Sequence, residues 1–293
     1  MLCAAGNCFF FGGNMKSMEI GVLSQLKKNY NPFPEIAGLG LSAVQLQNWD
    51  MNIFAEAEQV AAEAVKNMRD AGIRLAAFWA GYSGKLIWNS TGGPETLGLV
   101  PPELRKKRIE ELKKGAELAK LLDAPAIITH CGFIPENPAD PLYAGTIDAI
   151  GEVAAFCREL GLGFWFETGQ ETPLTLLRTI EDIGLDNLGI NLDTANLILY
   201  GRGNPVDALE VFGKYVRNLH VKDGLFPVSG RVLGKEVPFG EGRADFDRII
   251  AKLYDLNFTG ELIIEREISG PQQIADITSA AEKLRVLLKK HAR

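Results

Sequence analysis

The chain has 293 residues, of which 46% are hydrophobic and 23% charged, as in a globular protein with a substantial core. A formal net charge of −6 supplies no concentrated basic surface for phosphate, so we expect no nucleic-acid partner. No apolar run approaches the roughly 20 residues of a membrane span, so we expect no membrane association. The four cysteines have no metal-binding or redox spacing, which favours a reduced, cytoplasmic location.

Residues 1–17 precede the first strand pattern and lack the basic start of a signal peptide. We interpret them as an N-terminal extension, or as the product of a start codon upstream of a natural start at Met15. Over residues 18–293, short apolar runs alternate with segments of helical period, which predicts one domain. The predicted strands are 18–23, 41–47, 73–79, 126–130, 163–167, 188–193, 217–222 and 261–265. The predicted helices are a short, irregular one at 31–39, then 54–71, 101–122, 141–160, 172–183, 204–215, 245–256 and 271–290.

Eight strands that alternate with helices are typical of an α/β fold, and specifically of a closed (β/α)8 TIM barrel. Two long connections, 80–100 and 223–244, are rich in glycine, proline and polar residues. Loops of this length in a compact domain are usually binding loops or lids. Both follow strands at the end of the barrel where barrel enzymes place their active sites.

Four of the predicted strands end on, or close to, a residue type that can bind a metal: Glu167, Asp193, His220 and Glu265. Side chains alternate across a strand, so if these four point into the barrel, their neighbours point outward. Those outward positions are uniformly apolar, as a helix-covered surface requires: Phe164, Phe166, Ile190, Leu192, Leu219, Val221, Leu262 and Ile264. The opposite orientation would bury four ionisable groups against the helices at a cost of several kcal/mol each. The pattern therefore predicts that all four face the mouth of the barrel.

Three carboxylates and one imidazole at neighbouring strand ends predict a site for one divalent metal ion. The oxygen-rich donor set favours harder ions, so we expect Mn²⁺, with Mg²⁺, Co²⁺ and Zn²⁺ as alternatives. Open coordination positions on the ion would take two substrate oxygens. A hydrogen-bonded polar cluster without metal is the other interpretation of the same four residues.

Five segments resemble the xylose isomerase-like TIM barrels, a sugar-phosphate isomerase and epimerase superfamily: F-E-T-G-Q-E-T (166–172), N-L-D-T-A-N (191–196), L-H-V-K-D (219–223), G-E-G (240–242) and L-I-I-E (262–265). The superfamily includes ketose 3-epimerases and inosose-processing enzymes. The resemblance implies that the four residues bind one divalent metal, and that Glu167 and Glu265 also move protons as catalytic residues. The chain departs from the ketose 3-epimerases at Asn196, where those enzymes carry a substrate-contacting histidine. The departure leaves the identity of the sugar open.

Six further residues are candidates for contact with the substrate: His130, Lys222, Glu171, Asn196, Arg231 and Trp79. His130 ends the fourth strand on the inward face and would bind a hydroxyl or serve as a structural imidazole. Lys222 faces inward two residues after His220, where it would polarise the substrate, bind a phosphate or pair with a carboxylate. Glu171 would contact the sugar or cap a helix. Arg231 would contact the substrate or be an exposed cation, and Trp79 would contact the sugar or belong to the core. Asn196 would contact the sugar.

These features predict a metal-dependent sugar epimerase or isomerase that acts on a ketose, keto-sugar or related polyol derivative. A base would remove the weakly acidic proton beside a carbonyl, giving an enediolate that the metal stabilises. A lyase or dehydratase that begins with the same proton abstraction is the alternative, and a non-enzymatic sugar-binding protein is a third. A multi-metal endonuclease is disfavoured, because only His130 and His220 lie within the predicted strands. We expect a small-molecule sugar as the partner and leave a homo-oligomer open.

Overall fold

The computed structural model describes residues 18–292, and the expected N-terminal extension, residues 1–17, lies outside the described residues. The strands are β1 (Glu19–Gln25), β2 (Ala43–Asn48), β3 (Arg74–Ala80), β4 (Ala126–Thr129), β5 (Gly163–Glu167), β6 (Leu188–Asp193), β7 (Val216–Val221), β8 (Asp223–Leu225), β9 (Lys235–Val237) and β10 (Glu261–Ile264). All except β8 and β9 are parallel and close into a barrel in the order β1-β10-β7-β6-β5-β4-β3-β2. The predicted (β/α)8 TIM barrel is therefore confirmed.

Helices cover the outside of the barrel and connect its strands. They are α1 (Phe33–Gly38), α2 (Ala57–Ala71), α3 (Pro102–Leu121), α4 (Pro141–Glu159), α5 (Pro173–Ile183), α6 (Asn196–Leu199), α7 (Pro205–Phe212), α8 (Phe246–Asp255) and α9 (Pro271–His291). Within the described range, five of them begin at a proline, whose fixed φ and missing N–H suit the first helical turn. No helix between residues 18 and 292 combines the length and the apolar character needed to cross a membrane.

The main hydrophobic core lies between the strands and the surrounding helices. It contains all eight apolar neighbours of the four ligand-type residues, and each of the eight is buried. Smaller clusters fill the inside of the barrel, and one of them contains Ala77, Trp79 and Ile128. Each outward side chain contributes about 1.5–3 kcal/mol of burial, so a one-residue slip of these strands would be strongly disfavoured. The orientation predicted from strand alternation is confirmed.

The connection 223–244 differs from the loop that the sequence pattern predicts, because β8 and β9 pair there as an antiparallel hairpin. The carboxylate of Asp223 organises the segment that follows. It accepts hydrogen bonds from the backbone N–H groups of Gly240, Gly242 and Ala244 at 2.9, 3.0 and 3.2 Å. A Cβ atom at Gly242 would lie 1.9 Å from this carboxylate, so glycine is required at that position. The hairpin depends on these contacts between distant residues, which strand periodicity does not report.

Candidate metal centre

The four ligand-type residues lie on consecutive strands of the barrel. β5, β6, β7 and β10 are neighbours, so their C-terminal ends meet at one side of the mouth. Glu167 and Asp193 are the last residues of β5 and β6, His220 is the penultimate residue of β7, and Glu265 directly follows β10. Asp193 and His220 are paired in the register of β6 and β7. The two glutamates therefore flank the aspartate and the histidine.

The imidazole of His220 lies between the carboxylates. Its Nδ1 atom is 2.9 Å from Glu167 Oε1, 2.9 Å from Glu265 Oε2 and 3.8 Å from Asp193 Oδ2. One candidate ligand atom from each of the four residues lies within 4.8 Å of the others. Donor atoms this close together can share a single ion. The structure thus brings the whole predicted ligand set together.

The centre holds buried polar atoms that make ionic contacts but no well-formed hydrogen bond within residues 18–292. Glu167, Asp193 and His220 are buried, and only 11% of the Glu265 side chain is exposed. Asp193 Oδ2, His220 Nδ1 and Glu265 Oε2 make no hydrogen bond of good geometry within the described part of the chain. Buried charge without compensation is costly, and a divalent cation would supply the compensation. Three carboxylates and an imidazole therefore fit Mn²⁺, Mg²⁺, Co²⁺ or Zn²⁺.

The protonation of the centre follows from its charges. Burial opposes an imidazolium, but the carboxylates of Glu167 and Glu265 outweigh burial and hold the pKa of His220 well above its ordinary value. Burial alone would raise the pKa of Glu167, but His220 and His130 together lower that pKa below its ordinary value. The metal-free protein therefore carries a proton on His220 beside the ionised carboxylate of Glu167.

Lys222 adds a second buried positive charge. Its Nζ atom is 3.6 Å from Asp193 Oδ2, 3.6 Å from Glu265 Oε2 and 2.7 Å from Glu267 Oε1. Burial opposes the ammonium, but the surrounding carboxylates, Glu265 foremost, raise the pKa of Lys222 well above its ordinary value. Of the alternatives weighed for Lys222, the structure shows the pairing with carboxylates. Glu267 is not among the sequence candidates, because it lies beyond the end of β10, where strand alternation no longer applies.

Three amide side chains support His220 from within the barrel. The amide of Gln45, in β2, lies 2.7 Å from His220 Nε2. Asn218 Nδ2 donates hydrogen bonds to Gln45 Oε1 at 3.0 Å and to Asn191 Oδ1 at 2.6 Å. Because Nε2 faces an amide, Nδ1 is the nitrogen left to face a metal. Asn191 and Asn218 precede Asp193 and His220 by two residues, so strand alternation in the sequence also indicates their inward orientation.

Asp193 is held in place by the start of α6, a short helix that the sequence pattern does not predict. Asp193 Oδ1 accepts hydrogen bonds from the N–H groups of Ala195 and Asn196 at 2.8 and 2.7 Å. The other oxygen, Oδ2, is left facing the centre. The same turn brings Asn196 to the cavity, where its Oδ1 lies 3.5 Å from Lys222 Nζ.

A cavity of about 440 Å³ opens onto the centre. Of the sequence candidates, Trp79, His130 and Asn196 line it together with Glu167 and Glu265. The indole N–H of Trp79 donates a hydrogen bond to Glu167 Oε2 and so orients that carboxylate. His130 Nε2 is 3.9 Å from Glu167 Oε1, and His130 Nδ1 has no partner among residues 18–292. Several lining residues are absent from the sequence candidates, among them Trp49, Tyr200 and Glu267.

The remaining two sequence candidates lie away from the cavity wall. Glu171 is buried but does not line the cavity, and burial raises the pKa of its carboxyl to about 8. Arg231 is exposed in the turn between β8 and β9. Neither residue is brought to the centre, and contact of either with a substrate stays a prediction.

The known proteins that are similar to this chain share its barrel fold, and they include enzymes. A crystal structure of a xylose isomerase domain protein from Planctomyces limnophilus is similar with a TM-score of 0.88 and 33% identity, covering 94% of this chain and 99% of that one. A D-psicose 3-epimerase from Agrobacterium fabrum is 23% identical over 246 residues, which are 80% of this chain and 78% of the epimerase. An inosose dehydratase from Geobacillus kaustophilus is 28% identical over 151 residues, 44% of this chain. That match spans 46% of the dehydratase, less than half its length.

These relatives thus include an epimerase of D-psicose and a dehydratase of inosose. A family model described as the xylose isomerase-like TIM barrel matches residues 33–290, which include all four residues of the centre. Since the match extends over most of the chain, the protein belongs to the xylose isomerase-like TIM barrel family.

Proposed function

We propose that this protein is a sugar epimerase or isomerase that depends on one divalent metal ion. The observation that carries the proposal is the centre itself, with four donor groups inside 4.8 Å. Three of the donor atoms have no hydrogen-bond partner in the described chain. The similarity to a sugar epimerase supports the reaction class. The substrate would be a ketose, a keto-sugar or a related polyol derivative.

Glu167, Asp193, His220 and Glu265 would hold the metal, and Mn²⁺ is the ion we propose. When bound, the ion supplies Lewis-acid stabilisation for the negative charge that develops on the carbonyl oxygen of the substrate. Lys222 holds a fixed positive charge 3.6 Å from a carboxylate oxygen of both Asp193 and Glu265. This charge reduces the repulsion between the carboxylates.

Glu167 and Glu265 are the groups that we propose to move the proton. Both line the cavity, and they stand on β5 and β10, the outer two of the four strands that form the centre. One carboxylate takes the proton next to the carbonyl, and the other returns a proton to the opposite face of the planar carbon. The product is inverted at that carbon, which is an epimerisation. One glutamate working on a single face would instead give isomerisation between carbons.

The similarity to an inosose dehydratase favours a second candidate function, that of a lyase. The first step is the same proton abstraction, after which a hydroxyl on the neighbouring carbon leaves as water. His130 lines the cavity with its Nε2 atom 3.9 Å from Glu167 Oε1, and it is the residue that we propose to donate a proton to that hydroxyl.

Mass spectrometry of ketoses and keto-polyols incubated with the protein and Mn²⁺ in D2O separates the two functions. An epimerase adds deuterium beside the carbonyl without loss of water, whereas a lyase product lacks the mass of one water. Replacing Glu265 by Gln should slow exchange by about 10²–10⁴-fold. Glu261→Gln is the matched control, because Glu261 lies at the other end of β10. There its Oε1 atom is 2.5 Å from Nη2 of Arg74. If Glu167→Gln and Glu265→Gln both retain full exchange with Mn²⁺ bound, the proton-transfer roles are wrong.

A further inference from the structure

Each ligand-type residue of the centre has two atoms that could bind a metal ion, since a carboxylate has two oxygens and an imidazole has two nitrogens. In Asp193, the atom Oδ1 accepts the backbone N–H groups of Ala195 and Asn196 at 2.8 and 2.7 Å, so Oδ2 is left to face the centre. In His220, the atom Nε2 lies 2.7 Å from the amide of Gln45, so Nδ1 is left to face the centre. Both residues therefore offer a single atom to an ion.

Trp79 has the same relation to Glu167. Its indole N–H donates a hydrogen bond to Glu167 Oε2, whereas Glu167 Oε1 lies 2.9 Å from His220 Nδ1 and so faces the centre. Both Trp79 and Glu167 are buried, which protects this hydrogen bond from competition with bulk water. The indole N–H is a donor that cannot accept a proton and carries no charge. The hydrogen bond therefore separates the two oxygens of Glu167, one facing the protein and the other facing the centre.

The indole of Trp79 is held in place by packing inside the barrel. In the strand register Trp79 pairs with Ile128 of β4, and Ile128 pairs with Trp165 of β5, so these three residues lie at one level of the barrel. Trp79 and Ile128 belong to a buried cluster against which Trp165 packs. The ring of Trp49 lies 4.5 Å from that of Trp79 between centroids. Glu167 follows Trp165 by two residues, one level closer to the mouth, where the indole N–H reaches its carboxylate.

The number of protein donor atoms decides how much of a bound ion is left for a substrate. Mn²⁺ and Mg²⁺ in oxygen-rich sites take about six donors. One donor from each of the four residues of the centre leaves about two positions, enough for a carbonyl oxygen and a neighbouring hydroxyl. A carboxylate can also bind an ion through both oxygens. If Glu167 did so, only about one position would be left.

Without the indole N–H, Glu167 Oε2 would be a charged oxygen without a hydrogen-bond donor, in a side chain that is only 3% exposed. A buried charge without a partner is costly, and an ion next to Oε1 is the positive charge to which Oε2 could turn. Glu265 differs, because its side chain lines the cavity and is 11% exposed, so its second oxygen meets solvent more readily. The restriction by a protein donor is therefore most needed at Glu167.

We propose that Trp79 is a positioning residue that restricts Glu167 to one metal-binding oxygen and so keeps a coordination position open for the substrate. The indole uses one lone pair of Oε2, and the other lone pair stays free for the proton that Glu167 moves in the proposed reaction. This inference rests on the proposed function, because it requires a divalent ion at the centre.

The number of water molecules on bound Mn²⁺ tests the proposal without any substrate. Nuclear magnetic relaxation of water by the Mn²⁺-loaded protein gives this number, since the ion relaxes the waters that it coordinates. At saturating Mn²⁺ we expect about two waters in the parent protein and about one in Trp79→Phe, which keeps an aromatic ring and loses the N–H. Adding Glu167→Gln to Trp79→Phe should restore the second water, because a carboxamide binds an ion through its oxygen alone. Damage to the structure would instead add waters or weaken Mn²⁺ binding.

Trp165→Phe is the matched control, because Trp165 packs in the same cluster but has no hydrogen bond to the centre within residues 18–292. It should keep about two waters on the ion. Equal numbers of waters in the parent and in Trp79→Phe would refute the inference alone, and so would a single water in the parent. Absence of Mn²⁺ binding by the parent would refute the proposed function and the inference with it. Loss of one water in Trp79→Phe, with no deuterium exchange into any ketose by the parent, supports the inference and refutes the proposed reaction.

Discussion

Binding of a divalent metal ion should release a proton from His220, and this release can be measured without any substrate. In the metal-free protein, His220 Nδ1 lies 2.9 Å from a carboxylate oxygen of Glu167 and 2.9 Å from one of Glu265. Burial opposes the imidazolium, but these two carboxylates hold the pKa of His220 well above its ordinary value. Only the unprotonated nitrogen can bind a metal, so the ion and the proton compete for the same atom.

The size of the effect follows from one exchanged proton. Below the raised pKa of His220, the Kd for Mn²⁺ should fall about tenfold for each unit of pH, equivalent to about 1.4 kcal/mol. Glu167 contributes no proton, because its pKa is lowered and its carboxyl is already ionised. Lys222 keeps its charge, because three carboxylates surround it.

Isothermal titration calorimetry of the metal-free protein gives the number of protons directly, from titrations at pH 7 in buffers of different ionisation enthalpy. We expect about one proton released for each Mn²⁺ bound. Glu171→Gln is the control, since Glu171 also carries a proton near pH 7 but lies outside the centre. Its replacement should leave the proton count unchanged. Tight Mn²⁺ binding without proton release at any pH between about 6 and 8 would refute the reasoning.

Three substitutions test the surroundings of the centre. Gln45→Leu removes the amide that lies 2.7 Å from His220 Nε2 and should weaken Mn²⁺ binding about 10–100-fold in a competition titration. Arg108→Met removes buried hydrogen bonds of 2.7 Å to carbonyls of the 80–100 connection, and urea titration should show a loss of about 3 kcal/mol in unfolding free energy. The pKa of Glu171, about 8 when folded against 4.5 in a free side chain, makes folding less favourable as pH rises through that interval. Glu171→Gln should remove that loss of stability, worth at most about 5 kcal/mol, in urea titrations at pH 5 and pH 8.

The parts of the fold that could be predicted are those with a local signal. In β5, Phe164 and Phe166 face the helices, whereas Trp165 and Glu167 face the interior of the barrel. This alternation is already visible within five residues of the sequence. The hairpin of β8 and β9 could not be predicted in this way. Its two strands are three residues long, and it depends on a carboxylate, that of Asp223, which reaches N–H groups 17 to 21 residues away.

The same distinction applies to the candidate site. The four ligand-type residues each end a strand or lie next to its end, so local pattern and barrel geometry together bring them to one place. Gln45 contacts His220 although 175 residues separate the two in sequence, and Trp49 lines the cavity from the first half of the barrel. Neither role can be inferred until the barrel is closed and its first strands are opposite the ligand strands. Glu267 could not be inferred either, because it lies beyond the end of β10, where strand alternation gives no orientation.

The charges of the closed site favour a single divalent ion. Glu167, Asp193 and Glu265 supply three carboxylates to a largely buried space, and Lys222 lies 3.6 Å from the last two but closer to Glu267, at 2.7 Å. One dication would add two positive charges in place of the proton on His220. A second dication would leave the centre with excess positive charge and without ligands, since the only cluster of potential metal ligands found among residues 18–292 is this group of four. Lys222→Met should therefore tighten binding of the ion in a competition titration, because it removes a positive charge that lies 3.6 Å from a carboxylate oxygen of both Asp193 and Glu265 and repels the cation.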